Sequence, residues 1–271
     1  MRTFVLYLSL LNICLAQSDL KNFVEVNLPS SGNVHRIKWE DQFYWIKIAD
    51  PSKGWISCLG KRIGAFLVPD QIIAPTPICG DEILSTEARR LKECEHKQGA
   101  CARLIMSGKD WILVTDEGKS FEHFVQNLPT DQRLPYLLKG LDAILDLHTH
   151  HMVQGRASIK DLTLNDNQEI VFIDFAEDPE ALMSFDEARV RDLVAYFMTT
   201  LKTLDNNKDL EQNYTTLFIK KVPADLIHLI KRLLDNTNWL GKIAYTLQDF
   251  AGKDIKEFSR AHGLLHQHFV S

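Results

Sequence analysis

No apolar run in this chain crosses a bilayer with ease. The opening segment, MRTFVLYLSLLNICLAQ, comes nearest, and it falls short of the roughly 20 apolar residues that a transmembrane helix needs. Cysteine is scarce. Cys14, Cys58, Cys79, Cys94 and Cys101 stand at irregular spacing and form no CxxC pair, which argues against a zinc site or a dense disulfide framework. Basic blocks are missing as well. The 31 Lys and Arg are scattered among 36 Asp and Glu, for a net charge of −5, so no nucleic-acid partner is expected. There is no internal repeat and no low-complexity tract. What remains is ordinary globular material: 271 residues, 45% hydrophobic and 25% charged. That length suits one large domain or two small lobes.

Residues 1–18 have two readings. An early Arg, an apolar run and Cys14-Leu15-Ala16, a small-x-small site, fit a secretory signal peptide. The same residues fit an apolar N-terminal helix.

The front of the chain is strand-rich. VHRIKWEDQFYWIKIAD alternates and turns at Glu40-Asp41, which predicts a β-hairpin. WISCLGKRIGAFLV fits a helix, and PDQIIAPTPICGDE a proline-broken loop. STEARRLKECEHKQG predicts a helix capped by Ser85 or Thr86 and ended by Gly99. ARLIMSGKDWILVTDEG predicts a second hairpin turning at Gly108-Lys109-Asp110. After Lys119 the pattern becomes helical. Leu137, Leu141, Ile144, Leu145 and His148 recur at helical spacing. A short hairpin follows, LTLN and EIVFIDF joined by Asn165–Gln168. DEARVRDLVAYFMTTLKTL, ADLIHLIKRLLDN and WLGKIAYTLQDFAGKDIKEFSRAHGLL predict three further helices.

Two residues stand out chemically. Lys47 lies inside the apolar strand FYWIKIAD, where a lysine is costly without a partner. Glu87, on the helix that follows, can supply one, and a strand Lys paired with a helix Glu can hold nucleotide phosphates. The other reading puts Lys47 on the exposed face of an edge strand. Asp174 ends the apolar run Val171-Phe172-Ile173. It is placed either to hold a hard cation such as Mg²⁺ or simply to start a turn before Glu177-Asp178-Pro179.

Taken in order, Lys47, Glu87, a hinge at Asp116-Glu117-Gly118 and Asp174 resemble the protein-kinase-like superfamily. More narrowly, the chain is similar to a bacterial branch near the lipopolysaccharide-core (Kdo) kinases, often described as serine/threonine kinases. YWIKIAD matches the lysine strand, STEARRLKE the glutamate helix, and WILVTDEGKSFEHFV the last N-lobe strand, the hinge and the first C-lobe helix. LDLHTHHMVQGRASIKDLTLNDNQEIVFIDFAEDPE matches the catalytic segment, with Asp174-Phe175-Ala176 at the metal-binding motif. EARVRDLVAYF matches the next helix, whose Asp192 would brace the catalytic loop. The resemblance implies an α+β, two-lobed protein-kinase-like fold with a five-strand-type N-lobe. Its N-lobe would span 19–117 and its helical C-lobe 118–271. It also implies ATP and Mg²⁺, with Lys47, Glu87 and the hinge residues Asp116, Glu117 and Gly118 around the nucleotide.

The departures from the family pattern matter. Arg156 stands where the family has its aspartate base, and Asp161 where it has a metal-binding asparagine. Arg156 stays charged and accepts no proton, but it can clamp a phosphate or an acidic substrate. Asp161 can serve as metal ligand or as base. The glycine loop is thin: LPSSGNVHRI holds only Gly32, with Ser30 and Ser31 beside it. Two functions follow from these residues. One is a phosphotransferase to an unknown hydroxyl acceptor on a protein, sugar or lipid. The other is a pseudokinase that binds nucleotide or a protein partner without transfer. The nucleotide site favours a cytoplasmic location, and a cleaved N-terminus would favour export. Membrane association is left open.

Several features have plainer readings. His148, His150 and His151 lack acidic or Cys partners in sequence, so His148 reads as a buried structural residue. The tryptophans read as packing residues. Asn213-Tyr214-Thr215 reads as an accidental glycosylation sequon. The charged residues of ARRLKE and IKRLLD read as solvated helix faces.

Overall fold

A computed structural model describes residues 18–29, 34–49, 70–74, 76, 78, 80–247 and 253–270. The first 17 residues, Ser30, Ser31 and Gly32, and the helix expected over 55–68 lie outside them. The fold is α+β, with an antiparallel sheet in the N-terminal part and helices in the C-terminal part. Helix α1 (18–26) precedes strands β1 (Val34–Trp39) and β2 (Gln42–Ile48). Helix α2 (Asp81–His96) follows, then β3 (Leu104–Ser107) and β4 (Trp111–Thr115). Both hairpins form at the expected turns. In the first, Trp39 pairs with Gln42, and Glu40 takes the left-handed conformation the tight turn needs (φ 53°).

The sheet order is β1-β2-β4-β3, four strands among the described residues where five were expected. β2 is therefore an inner strand, flanked by β1 and β4, and the edge-strand reading of Lys47 is excluded. Alternation sorts the side chains by face. Tyr44 and Ile46 of β2 and Trp111 and Leu113 of β4 pack with Leu20 and Val24 of α1. Ile112 and Val114 face the other way, into the main core. Burying a side chain such as Ile46 contributes about 1.5–3 kcal/mol, and this pattern fixes the register that turns Lys47 towards α2.

Helix α2 begins at Asp81, not after Ser85 or Thr86. The chain break falls at Gly80, whose φ of 56° makes the turn into the helix, and Ser85 sits inside it, donating to the Glu82 carbonyl. At the other end Gln98, not Gly99, is left-handed (φ 60°). Gly99 is needed for a different reason: a Cβ there would lie 2.8 Å from Cys94 Sγ and 2.9 Å from Leu147. Cys94 and Cys101 are joined in a disulfide across this turn, which the irregular spacing did not foretell.

Strand β5 (Lys119–Ser120), helix α3 (Phe121–Gln126) and helix α4 (Leu134–Thr149) follow. The expected apolar stripe on α4 is present, with Leu147 rather than Leu145 fully buried. Gly140 lets α4 approach the next helix closely: a Cβ there would lie 2.1 Å from the Tyr196 hydroxyl oxygen, and that hydroxyl donates to the Leu137 carbonyl at 2.8 Å. Strands β6 (Leu162–Leu164) and β7 (Ile170–Phe172) form the short hairpin, and β5 completes a sheet of order β5-β6-β7.

Helix α5 (Phe185–Leu201) starts with a capping box between Ser184 and Glu187. Helix α6 (Lys208–Lys221) was not anticipated. It buries Tyr214 and Thr215, so the sequon lies on a packed helix. Helix α7 (Ile227–Leu247) runs without a break through Asn236-Thr237-Asn238, where two helices were expected. There Thr237 turns its hydroxyl back to the Leu233 carbonyl at 2.6 Å, and Leu229, Ile230, Leu233 and Leu234 keep one face on the core. Helix α8 (Lys253–Val270) packs against α7 and α5. No helix among the described residues is long and apolar enough to cross a membrane.

Candidate active site

The sheet face opposite α1 presents Trp45 and Lys47. Lys47 has 16% of its side chain exposed, and its ammonium donates to Glu87 of α2, which is buried. Helix α2 places Glu87 and Arg90 one turn apart, on the face that meets the sheet and the loop below. Burial works against the Lys47 charge, but Glu87, Asp174 and Asp161 outweigh it and hold its pKa above the usual lysine value.

Asp174 completes a triangle. Its Oδ1 lies 4.0 Å from Lys47 Nζ, and 46% of its side chain is exposed. The residue is left-handed, with φ 66°, a conformation that costs a non-glycine residue on the order of 1 kcal/mol and clusters at functional sites. The Gln154 amide donates to the Asp174 carbonyl at 2.6 Å and helps hold this geometry. The carboxylate thus faces Lys47, while the turn after it is made by 179–181.

Loop 152–161 is held from below. Asp192 of α5 is fully buried and accepts from the backbone N–H groups of Gln154 (2.7 Å), Gly155 (2.9 Å) and Ala157 (3.1 Å). His148 Nε2 lies 3.2 Å from the same carboxylate. His148 is therefore a structural partner of Asp192. Among the described residues no group of three or more His, Cys, Asp or Glu is placed to hold a metal on its own.

Two arginines also hold the loop, Arg90 from α2 and Arg191 from α5. Arg90 is 1% exposed and donates to the carbonyls of Val153, Gln154 and Glu177. The charged stretch ARRLKE is therefore not wholly a solvated face: Arg90 is the loop's anchor. Arg191 donates to Gly155 O (2.6 Å) and to the carbonyls of Ile72 and Ala74, and pairs with Glu177 (2.5 Å). Glu177 also lies 3.1 Å from Arg156 Nε. The available signal for Arg90 was its spacing three residues from Glu87. Nothing local marked Arg191 or Glu177, whose partners lie up to 119 residues away.

Asp161 ends the short turn that closes the loop, and its carbonyl accepts from Ile173 N at 2.9 Å, next to Asp174. Burial and the neighbouring Asp174 charge push its pKa up to about 7, against the pull of Lys160, Arg156 and Lys47.

A cleft of about 200 Å³ lies between sheet and loop. Lys47, Glu87 and Asp174 form its polar end, and Trp45, Leu91, Val114 and Ile173 its apolar walls. Of the hinge residues, Glu117 and Gly118 line it. Gly118 (φ 106°) must be glycine, since a Cβ would lie 2.4 Å from the Leu164 carbonyl oxygen. The Asp116 carboxylate is engaged elsewhere, accepting from the Arg36 guanidinium Nε at 2.6 Å and from the Gly118 backbone N–H at 3.2 Å. Arg156 and Asp161 do not line this cleft. They face a neighbouring cavity.

No protein-family model matches the chain, and no curated protein matches it. Among solved structures it is similar to the Rv3197–erythromycin complex from Mycobacterium tuberculosis, with 14% identity and a TM-score of 0.35 over 69% of this chain and 51% of that one. The chain thus spans about half the length of that protein. It is also similar to the choline kinase LicA from Streptococcus pneumoniae, with 11% identity and a TM-score of 0.37 over 92% of this chain and 98% of that one. At these TM-scores neither likeness bears on the site, which is read from its own geometry.

Proposed function

We propose that the protein is an ATP-dependent phosphotransferase of the protein-kinase-like type, acting on a hydroxyl acceptor. The observation that carries this reading is the Lys47–Glu87 ion pair facing Asp174 across a cleft whose far walls are apolar. The walls suit a flat base, and the Lys47 ammonium suits the α- and β-phosphates. Asp174 fits Mg²⁺, which needs one or two protein carboxylates and takes its other ligands from water and phosphate. Bound there, the ion would neutralise charge on the β- and γ-phosphates.

The chain's own residues then divide the work. Glu87 fixes the direction of Lys47, and Asp192 and Arg90 hold the loop that faces the cleft. Residues 116–118 join the sheet part to the helical part and border the nucleotide through Glu117 and Gly118. Transfer forms a bond from the acceptor oxygen to the γ-phosphorus and breaks the bond to the β–γ bridging oxygen, which leaves on ADP. The hydroxyl proton passes to a carboxylate, the role we assign to Asp161 at the loop end of the neighbouring cavity.

A second reading, nucleotide binding without transfer, is favoured by Arg156, a residue that accepts no proton at the position where the base is expected. Isothermal titration with ATP, with and without Mg²⁺, tests the shared premise. Binding strengthened by Mg²⁺ and lost in Lys47→Met supports the site, and equal binding by Lys47→Met rejects it. Measured ADP formation then separates the two readings.

A further inference from the structure

A second cavity, of about 500 Å³, opens on the far side of the loop from the nucleotide cleft. Arg156, Lys160 and Asp161 line its loop side. Val194 and Met198 of α5 and Phe258 of α8 make an apolar wall opposite. Among the described residues Lys160 alone lines both the cleft and the cavity, so the two spaces meet at its side chain.

The charges are unevenly satisfied. Among the described residues Lys160 has no ion-pair or hydrogen-bond partner, and the Arg156 side chain engages only Glu177, through Nε, while its backbone N–H donates to Gln154 Oε1. The terminal nitrogens of Arg156 are therefore free to hold an anion in a two-pronged contact. The cavity's third surface cation, Lys202, is already paired with Glu257 at 2.7 Å. Free cationic donors thus sit at the loop end and apolar surface at the other. Glu122 and Asp161 also face the space. Asp161 lies at the loop end, where an acceptor hydroxyl would have to stand to reach a phosphate held beside Lys160.

Resting on the phosphotransferase reading, we propose that this cavity is the acceptor site and that the acceptor is an alcohol with an apolar body and an anionic group. The body lies against α5 and α8, the anion on Arg156, and the hydroxyl beside Lys160 and Asp161.

Four probes test this by titration of the full-length protein without nucleotide. Monohexanoyl glycerol phosphate has the tail, the hydroxyl and the anion. Glycerol phosphate lacks the tail, hexyl glucoside lacks the anion, and hexyltrimethylammonium carries the opposite charge. The first should bind at least about tenfold more tightly than each of the others, a difference of about 1.4 kcal/mol. Arg156→Gln, at an exposed position, should erase its advantage over hexyl glucoside. Ala195→Phe, which fills the cavity from α5, should erase its advantage over glycerol phosphate, with a thermal melt confirming that each variant is folded. Equal binding of all four probes, tightest binding of hexyltrimethylammonium, or an advantage untouched by Arg156→Gln overturns the proposal. A separate Mg²⁺-ATP titration keeps the two readings apart. If the parent binds the probe but no nucleotide, the phosphotransferase reading fails and the anionic amphiphile site stands.

Discussion

Asp174 Oδ1 and Lys47 Nζ approach to 4.0 Å across the cleft, one from a left-handed residue after β7, the other from an inner strand of the sheet. With 46% of its side chain exposed, the carboxylate keeps room for a cation on its open side. Asp174→Asn keeps shape and removes charge. It should abolish the Mg²⁺-dependent strengthening of ATP binding and leave metal-free ATP binding nearly as it was. Isothermal titration with and without Mg²⁺ reads this directly, and undiminished strengthening in the variant would show that Asp174 is only a turn acid.

Much of this was legible because it follows from local rules. The alternation in FYWIKIAD put Lys47 and Trp45 on one face, and both hairpins carried their turn residues. Other parts were decided by distant partners. Arg90 sits in a helix stretch whose charges look solvated, and only the carbonyls of Val153, Gln154 and Glu177, more than 60 residues on, show why it is buried. Helix α6 was missed because its polar residues outweigh its apolar ones, and its stability comes from Tyr214, stacked on Phe197 of α5, and Phe218, packed against the same ring. The start of α2 was misplaced because Gly80 breaks the chain before any hydroxyl cap is needed.

The second prediction concerns the loop. Asp192 is a buried carboxylate with three backbone N–H donors and His148 around it. Asp192→Ala leaves those donors unpaired and should cost about 3–5 kcal/mol in urea unfolding. Asp192→Asn retains one accepting oxygen and should cost less. A loss in Asp192→Ala below about 1 kcal/mol would show that water replaces the carboxylate and that the loop is not held by it.

The third concerns the disulfide. Cys94 and Cys101 close a loop with a sequence separation of 7 between the Glu87 helix and the residues beside β7. Ala102 N and Phe172 N exchange backbone bonds with Phe172 O and Ala100 O there, so the closed turn holds α2 beside β7. Constraining a loop this short stabilises by about 2 kcal/mol. Cys94→Ser/Cys101→Ser should therefore melt several degrees lower than the oxidised parent. Equal melting temperatures in parent and variant, with intact mass confirming the bond in the parent, would contradict the prediction.

The last prediction follows from the second carboxylate. Asp161 is held near pH 7, chiefly by burial and then by Asp174, while an unfolded aspartate titrates near 3.9. Between those values the folded chain keeps a proton that the unfolded chain has lost. Stability therefore falls as pH rises through this window, and the loss is complete above about pH 7. Asp161→Asn carries no titrating group, so it escapes the penalty. Measured without metal, the variant should match the parent near pH 4 and exceed it at pH 8 by an amount on the order of a few kcal/mol. Mg²⁺ and ATP, if they draw on the charged form, should narrow the gap at pH 8 by stabilising the parent. Denaturant unfolding across that range, with and without the metal, reads both effects. A stability difference between variant and parent that does not change with pH would mean that Asp161 is ionised throughout, and that its burial is offset by Lys160, Arg156 and Lys47.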